Sequence, residues 1–351
     1  MKRRTAKSSA SMLSGSSSAS GKKAAKLERR LLKYDELPEY LKDNEFITDY
    51  YRCEWPLKDV ILSVFSLHNE TLNIWTHLVG FLIFLGLMVM SLTEKMTLEN
   101  VISGLFGEGS DGWLKTKMMT QSNGSNTFSS DSYLRHITKS SISSTPRQST
   151  PLPLWPWFVF LTGAMSCLMF STISHLFACH SKRFYFFFWR LDYAGISLMI
   201  ISSFFAPIYY TFSDHPYYLL LYLSSITLVG ILVVITLLAP ALSDARFRPF
   251  RAALFLCMGF LGVIPATHAV VLHWDHPQIR WSLGYEVVMG ALYGVGAVFY
   301  VARVPERWRP GAFDVVGHSH QIFHVFVVMA ALVHCAAILI IMEWRQGMNY
   351  V

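Results

Sequence analysis

The sequence predicts an all-α membrane protein, a seven-transmembrane helix bundle with a cytoplasmic amino terminus and its carboxyl terminus outside. Three observations carry this expectation. The 351-residue chain is 52% hydrophobic and only 15% charged, more apolar material than a soluble domain of that size buries. Seven apolar runs with few or no charges recur, each long enough for a bilayer crossing, which takes roughly 20 residues. Lys and Arg gather on alternate connections between those runs.

Along the chain, residues 1–26 read as a disordered cytoplasmic tail, low in complexity and rich in Ser, Ala and Gly over 8–20. Met1-Lys2-Arg3-Arg4 is followed by neither an apolar core nor a small-residue cleavage site, so no cleavable signal peptide is indicated. Residues 27–69 interleave charges with Leu, Tyr, Trp and Phe and read as a cytoplasmic or interfacial region. Within it Leu57, Val60, Ile61, Val64 and Phe65 have helical spacing and predict a helix along the inner membrane surface. The seven-span domain covers 70–345, with spans at about 74–92, 154–179, 193–212, 217–239, 252–273, 282–302 and 315–342. Between the first two spans, residues 93–153 are rich in Ser, Thr, Asn and Gly and read as a long, mobile external loop. It carries the sequon Asn123-Gly124-Ser125, open to glycosylation only on the outer side. Residues 346–351 form an external tail.

Orientation follows from charge. Lys182, Arg183 and Arg190 after span 2, Arg246, Arg248 and Arg251 after span 4, and Arg303, Arg307 and Arg309 after span 6 join the basic amino-terminal tail on the cytoplasmic side. The opposite connections are poor in charge: 213–216 has no Lys or Arg, and 274–281 has only Arg280. This orientation is the reverse of that of rhodopsin-like receptors and argues against G-protein coupling. The net charge of +7 belongs to these membrane flanks, where it fixes orientation or meets anionic lipid, and no nucleic-acid partner is expected. The five cysteines lie in the amino-terminal segment or within spans, so a disulfide framework is not expected.

Polar side chains inside a bilayer need a partner or a task. Span 7 opens with His318-Ser319-His320-Gln321-Ile322-Phe323-His324, and residues four apart project from one helix face. His320 and His324 are thus able to reach one metal ion, or equally to make two helix contacts. Depth adds a test that does not depend on that motif. Span 2 carries Ser171 and His175 near its basic inner end, and Asp192 is expected at the cytoplasmic mouth of span 3. His175, His320 and His324 with a carboxylate nearby form the donor set of an open zinc site. The other histidines are poorer candidates. His268, His273 and His334 are read as interfacial or packed on the outer side, and His318 points away from His320. His180 is read as a neighbour of the site or a head-group contact, and His77 as a helix-packing hydrogen bond.

These residues resemble the progestin and adipoQ receptor family, which includes the adiponectin receptors and the plant heptahelical proteins. The resemblance covers about residues 30–345 and is most specific at Glu70-Thr71-Leu72-Asn73-Ile74-Trp75-Thr76-His77, Ser171 with His175 and Cys179-His180-Ser181, Leu191-Asp192-Tyr193-Ala194-Gly195-Ile196, Pro305-Glu306-Arg307, and Ser319-His320-Gln321-Ile322-Phe323-His324. It implies the amino-terminus-inside topology, zinc on His175, His320 and His324, and Asp192 contacting the ion through water. It further implies a lipid cavity and, in at least some relatives, hydrolysis of the ceramide amide bond. The long external loop and soluble tail look more like the plant members than the animal hormone receptors.

Two functions stay open from the sequence. In one, the chain is a receptor with lipid amide hydrolase activity, acting on a ceramide-like substrate and coupled to signalling. Asp192 and Ser171 are then the candidate catalytic residues, Asp192 as general base and Ser171 either as a hydrogen-bond donor to the carbonyl or as a span-span contact. In the other, zinc only clamps the spans, and a ligand shifts their arrangement to signal. The expected partners are a membrane lipid, ceramide or fatty acid, and the bilayer of the plasma membrane or an endomembrane. No protein signalling partner is legible.

Overall fold

The computed structural model describes residues 30–93, 152–239, 242 and 245–348. The tail at 1–26 and nearly all of the loop at 93–153 lie outside the described residues. Among the described residues the fold is all-helical, with no strand and one isolated antiparallel bridge between Leu32 and Tyr51.

Among the described residues seven helices are long and apolar enough to cross a membrane: Thr71–Leu92, Trp155–Phe177, Lys182–Phe212, Pro216–Leu237, Arg248–Leu272, Pro277–Ala302 and Ser319–Met348. The shortest has 22 residues, about 33 Å at the helical rise, against a hydrocarbon core of roughly 30 Å. Four of them begin with proline in the first turn, Pro156, Pro216, Pro249 and Pro277, where the missing N–H has no intrahelical partner to lose.

Spans 3, 5 and 7 depart from the expected bounds for local reasons, and span 6 begins at Pro277, five residues before the expected start. Span 3 begins at Lys182 rather than near Tyr193, because the aromatic run Phe184 to Trp189 continues the helix and the Ser181 hydroxyl accepts from the Phe184 N–H at 3.4 Å. Asp192 is therefore not at the helix mouth but ten residues inside, about 15 Å along the axis. Span 5 is two helices, Arg248–Phe260 and Val263–Leu272. Pro265 has no N–H for the Leu261 carbonyl, which instead meets the Ile264 N–H at 3.4 Å. Span 7 starts four residues later than expected, after Gly317 takes a left-handed turn at φ +87°.

Odd-numbered spans begin, and even-numbered spans end, at the face onto which the amino-terminal segment folds. That segment is built on Leu37, Ile47 and Tyr51. It is held by Thr48 donating to Asp314 through N–H (2.8 Å) and hydroxyl (3.0 Å), by Asn44 Nδ2 donating to Glu306 (3.1 Å), and by the ion pairs Arg248–Asp43 and Arg303–Glu45. The short helix Leu57–Leu62 tucks Val60 against Ile74 and Leu176 while Ile61, Leu62 and Phe65 stay exposed, an apolar edge suited to a membrane surface.

The main core joins spans 1, 2, 3 and 7 through Phe84, Trp157, Phe160, Leu168, Met199 and Ile338. Spans 2 and 3 approach closely over glycines: a Cβ at Gly195 would sit 3.2 Å from the Cα of Cys167, and one at Gly163 would sit 2.5 Å from Ser202 Cβ. Within this core Trp157 Nε1 donates to Ser91 Oγ at 2.8 Å.

Candidate metal centre

Spans 2 and 7 bring His175, His320 and His324 together near the face covered by the amino-terminal segment. One ligand nitrogen from each lies within 4.8 Å of the other two. Nε2 of His175 and Nε2 of His320 are 3.2 Å apart. Two imidazoles on one tetrahedral zinc, each bond roughly 2.05 Å long, hold their nitrogens about 3.3 Å apart, so this spacing suits a shared ion.

The hydrogen bonds behind the rings fix which nitrogen faces the centre. Nδ1 of His175 lies 2.7 Å from a Glu70 carboxylate oxygen, and Nδ1 of His324 lies 3.2 Å from the Asn73 carbonyl. Both oxygens accept, so both Nδ1 atoms carry the proton and both Nε2 atoms keep a lone pair. Thr76 Oγ1 also lies 3.2 Å from His324 Nδ1. Histidines held from behind by an oxygen acceptor and bare toward a common point are the arrangement in which metal-binding imidazoles are oriented.

Glu70 was not among the candidates drawn from the sequence. It sits at the N-cap position of span 1, and besides His175 it accepts from Asn73 Nδ2 at 2.6 Å. The loop that presents it is tied down by His68, whose Nδ1 accepts from the Glu70 N–H (3.1 Å) and whose Nε2 donates to the Ser63 carbonyl (3.1 Å). Burial first, and the Arg52 charge second, push His68 down to about 3, so it stays neutral in that role. Burial alone would raise the Glu70 carboxyl, but His175, Asn73 and His320 together hold it below the usual carboxylate range. Arg52 locks the end of span 2 by donating to the His175 carbonyl at 2.8 Å.

Glu306 is the second residue whose role the sequence did not disclose. Fully buried, it accepts from the Ser319 N–H at 2.7 Å and from the Ser319 hydroxyl. A carboxylate there satisfies an unpaired N–H at the helix start and complements its dipole, setting the start from which His320 and His324 are counted.

Asp192 and Ser171 lie close to His175. Asp192 is buried and faces Ser171 and His175, but its carboxylate is not among the atoms gathered within 4.8 Å. The Ser171 hydroxyl is buried and faces the Asp192 carboxylate across the contact of spans 2 and 3. His77 also differs from expectation. Neither ring nitrogen has a hydrogen-bond partner among the described residues, and the ring stacks on His324 with centroids 3.6 Å apart and planes 7° from parallel, a contact that helical spacing on one span does not reveal. His180 binds the Trp55 carbonyl through Nδ1 (2.8 Å), and His318 binds the Asn69 carbonyl through Nε2 (3.2 Å).

Two hollows lie near the centre, of which the first is lined by its histidines and the second is not. A cavity of about 100 Å³ lined by Glu70, His175, His320, Trp189, Arg248 and Tyr300 lies beneath the amino-terminal segment. On the bundle's flank an apolar groove of about 350 Å³ between spans 1 and 7, lined by Val79, Ile83, Val325 and Met329, ends at Thr76 beside His324.

Comparison with known proteins agrees with this architecture. Residues 65–335 match the family described as haemolysin-III related. Heptahelical transmembrane protein 3 of Arabidopsis thaliana is 58% identical over 322 residues, covering 92% of this chain and 90% of the relative. Heptahelical transmembrane protein ADIPOR1 of Oryza sativa subsp. japonica is 46% identical, covering 92% and 87%. The adiponectin receptor protein of Drosophila melanogaster is 34% identical, covering 86% of this chain and 57% of the relative. With seven membrane-spanning helices and these relatives, the chain is an integral multi-pass membrane protein of the haemolysin-III-related family, adiponectin-receptor-like and similar to the plant heptahelical transmembrane proteins.

Proposed function

We propose that this protein is a heptahelical receptor that holds zinc on His175, His320 and His324 and hydrolyses a ceramide-like lipid amide, with its amino terminus in the cytoplasm. The observation that carries this reading is the pair of oriented imidazoles, His175 backed by Glu70 and His324 by Asn73, both bare toward His320. When bound, zinc supplies Lewis-acid polarisation and lowers the pKa of water. The remaining roles fall to side chains. Asp192 takes a proton from the attacking water on its carboxylate and passes it to the leaving amine nitrogen, so that amide and water become fatty acid and free amine. Ser171, buried beside Asp192, donates to the amide carbonyl oxygen. Trp189 and Tyr300 wall the cavity and limit water around the reacting groups. The apolar groove between spans 1 and 7 suits an acyl chain entering from the bilayer. The cytoplasmic orientation rests on Lys182, Arg183, Arg303 and Arg307 flanking the same face.

The test is release of fatty acid from a ceramide panel by the purified full-length protein. Wild type is expected to turn over, and Asp192→Asn to keep zinc and lose release. Zinc retained with no turnover on any lipid amide by wild type would leave the ion a structural clamp and refute the hydrolase reading.

A further inference from the structure

A second buried constellation lies far from the histidine cluster. His334 is on span 7 ten residues beyond His324, roughly 15 Å along the helix. It is 4% exposed, and its ring touches three elements. Nδ1 lies 3.0 and 2.9 Å from the two carboxylate oxygens of Glu286 on span 6. Nε2 lies 3.0 Å from the Ser203 carbonyl on span 3. Phe160 of span 2 sets its ring edge against the imidazole at 4.9 Å.

The Ser203 carbonyl is available for a reason written in the sequence. Residue 207, four positions later in the same helix, is proline, which has no N–H to give it. A carbonyl freed inside a membrane helix needs another donor, and His334 Nε2–H is that donor. Nε2 therefore carries a proton. In a neutral ring Nδ1 would then be a bare lone pair against a carboxylate, two acceptors at hydrogen-bond distance with nothing between them. The contact is attractive only if one further proton is present, either on Nδ1 with Glu286 ionised or on Glu286 with Nδ1 accepting.

We propose that Glu286 and His334 form an intramembrane proton-binding site which, when loaded with one proton, latches spans 3, 6 and 7 together. The groups facing the pair leave this proton to it alone. Glu286 is the one charged side chain acting on His334 among the described residues. Tyr293 on span 6 is the titratable neighbour of Glu286 and itself lies near Cys167 of span 2 and Cys335 of span 7; the ordinary values of tyrosine and cysteine are roughly 10 and 8.5. An unpaired carboxylate on a bilayer-crossing helix is costly, which favours the loaded state.

The sign of the pH dependence follows. Above about pH 6.5 an unfolded chain has released the histidine proton, whereas the folded pair retains it. The latch therefore contributes fully below that pH and weakens as pH rises, each unit lowering the folding equilibrium about tenfold until the folded pair gives up its proton.

The full chain in detergent, with 15N-labelled histidine, tests this between about pH 6 and about pH 9. Two signatures mark the loaded pair: both ring nitrogens of His334 protonated, or Nε2 alone protonated beside a carboxylic-acid C=O band that Glu286→Gln removes. The expected result is either signature at the acidic end, with a melting temperature that falls above about pH 6.5 while the signature persists and levels off once it is lost. A signature persisting to the alkaline end also supports the site. Glu286→Gln, whose amide donates to Nδ1 with no proton to lose, is expected to lack this fall. A bare Nδ1 beside an ionised Glu286 throughout the range would overturn the proposal, as would the same pH profile in wild type and Glu286→Gln. Should Glu286→Gln not fold, the wild-type nitrogen and carboxyl signals decide alone.

Discussion

Glu70→Gln keeps the shape of the side chain behind His175 and removes its charge. In the wild type the Nδ1–H of His175 meets a carboxylate at 2.7 Å. A hydrogen bond to a charged group contributes about 1.5–3 kcal/mol and a neutral one about 0.5–1.5, so the exchange costs roughly 1–1.5 kcal/mol, or about tenfold in an equilibrium constant. Loss of a negative charge close to a divalent cation adds to this, and changes to such supporting carboxylates typically cost about 10–100-fold in metal affinity. Competition between the purified protein and a chelator of known affinity reads the zinc Kd directly. The expected Kd for Glu70→Gln is about 10–100-fold above wild type. Thr76→Val is the control: it removes one neighbour of His324 Nδ1 but leaves the Asn73 carbonyl, and its Kd should stay within about threefold. A Glu70→Gln Kd within about twofold of wild type would refute the reasoning that this carboxylate orients and polarises His175.

Glu306→Ala strips the start of span 7 of its carboxylate and orphans the Ser319 N–H and hydroxyl and Asn44 Nδ2. A loss on the order of 2–4 kcal/mol is expected, read as a lower melting temperature; an unchanged midpoint contradicts the capping role. Gly163→Ala puts a methyl group 2.5 Å from Ser202 Cβ, an atom with no freedom to swing aside, and should destabilise the contact of spans 2 and 3 by about 1–3 kcal/mol. Gly86→Ala, which meets nothing within 4 Å, should leave the same melting curve unmoved.

The spans were legible because a charge-free run of about 20 residues has few alternatives to a membrane helix. Their ends were less so. Hydropathy stops at Arg190 and Asp192, but the helix does not, since Ser181 caps it and the aromatic run from Phe184 carries it through. Gly317 delayed span 7 through backbone conformation, which hydropathy does not weigh. At the centre, four-residue spacing on span 7 and charge asymmetry suffice to put His175, His320 and His324 at one depth. Glu70, Glu306 and His77 escaped because their contacts join residues 105, 13 and 247 positions apart, and no local periodicity encodes such pairings. One signal was available for Glu70: a lone carboxylate immediately before a charge-free span needs a buried partner. The same reasoning applies to Glu286, the acid within span 6, and would have pointed to His334.

Everything proposed for the site depends on a metal held by three imidazoles. The most direct measurement is X-ray absorption at the zinc edge on the purified full-length protein, with elemental analysis of the same sample. About one zinc per chain, with nitrogen ligands at roughly 2.0–2.1 Å, is predicted for wild type, and loss of the metal for the double substitution His320→Ala with His324→Ala. Wild type without zinc, or full zinc retained in the doubly substituted protein, would contradict it.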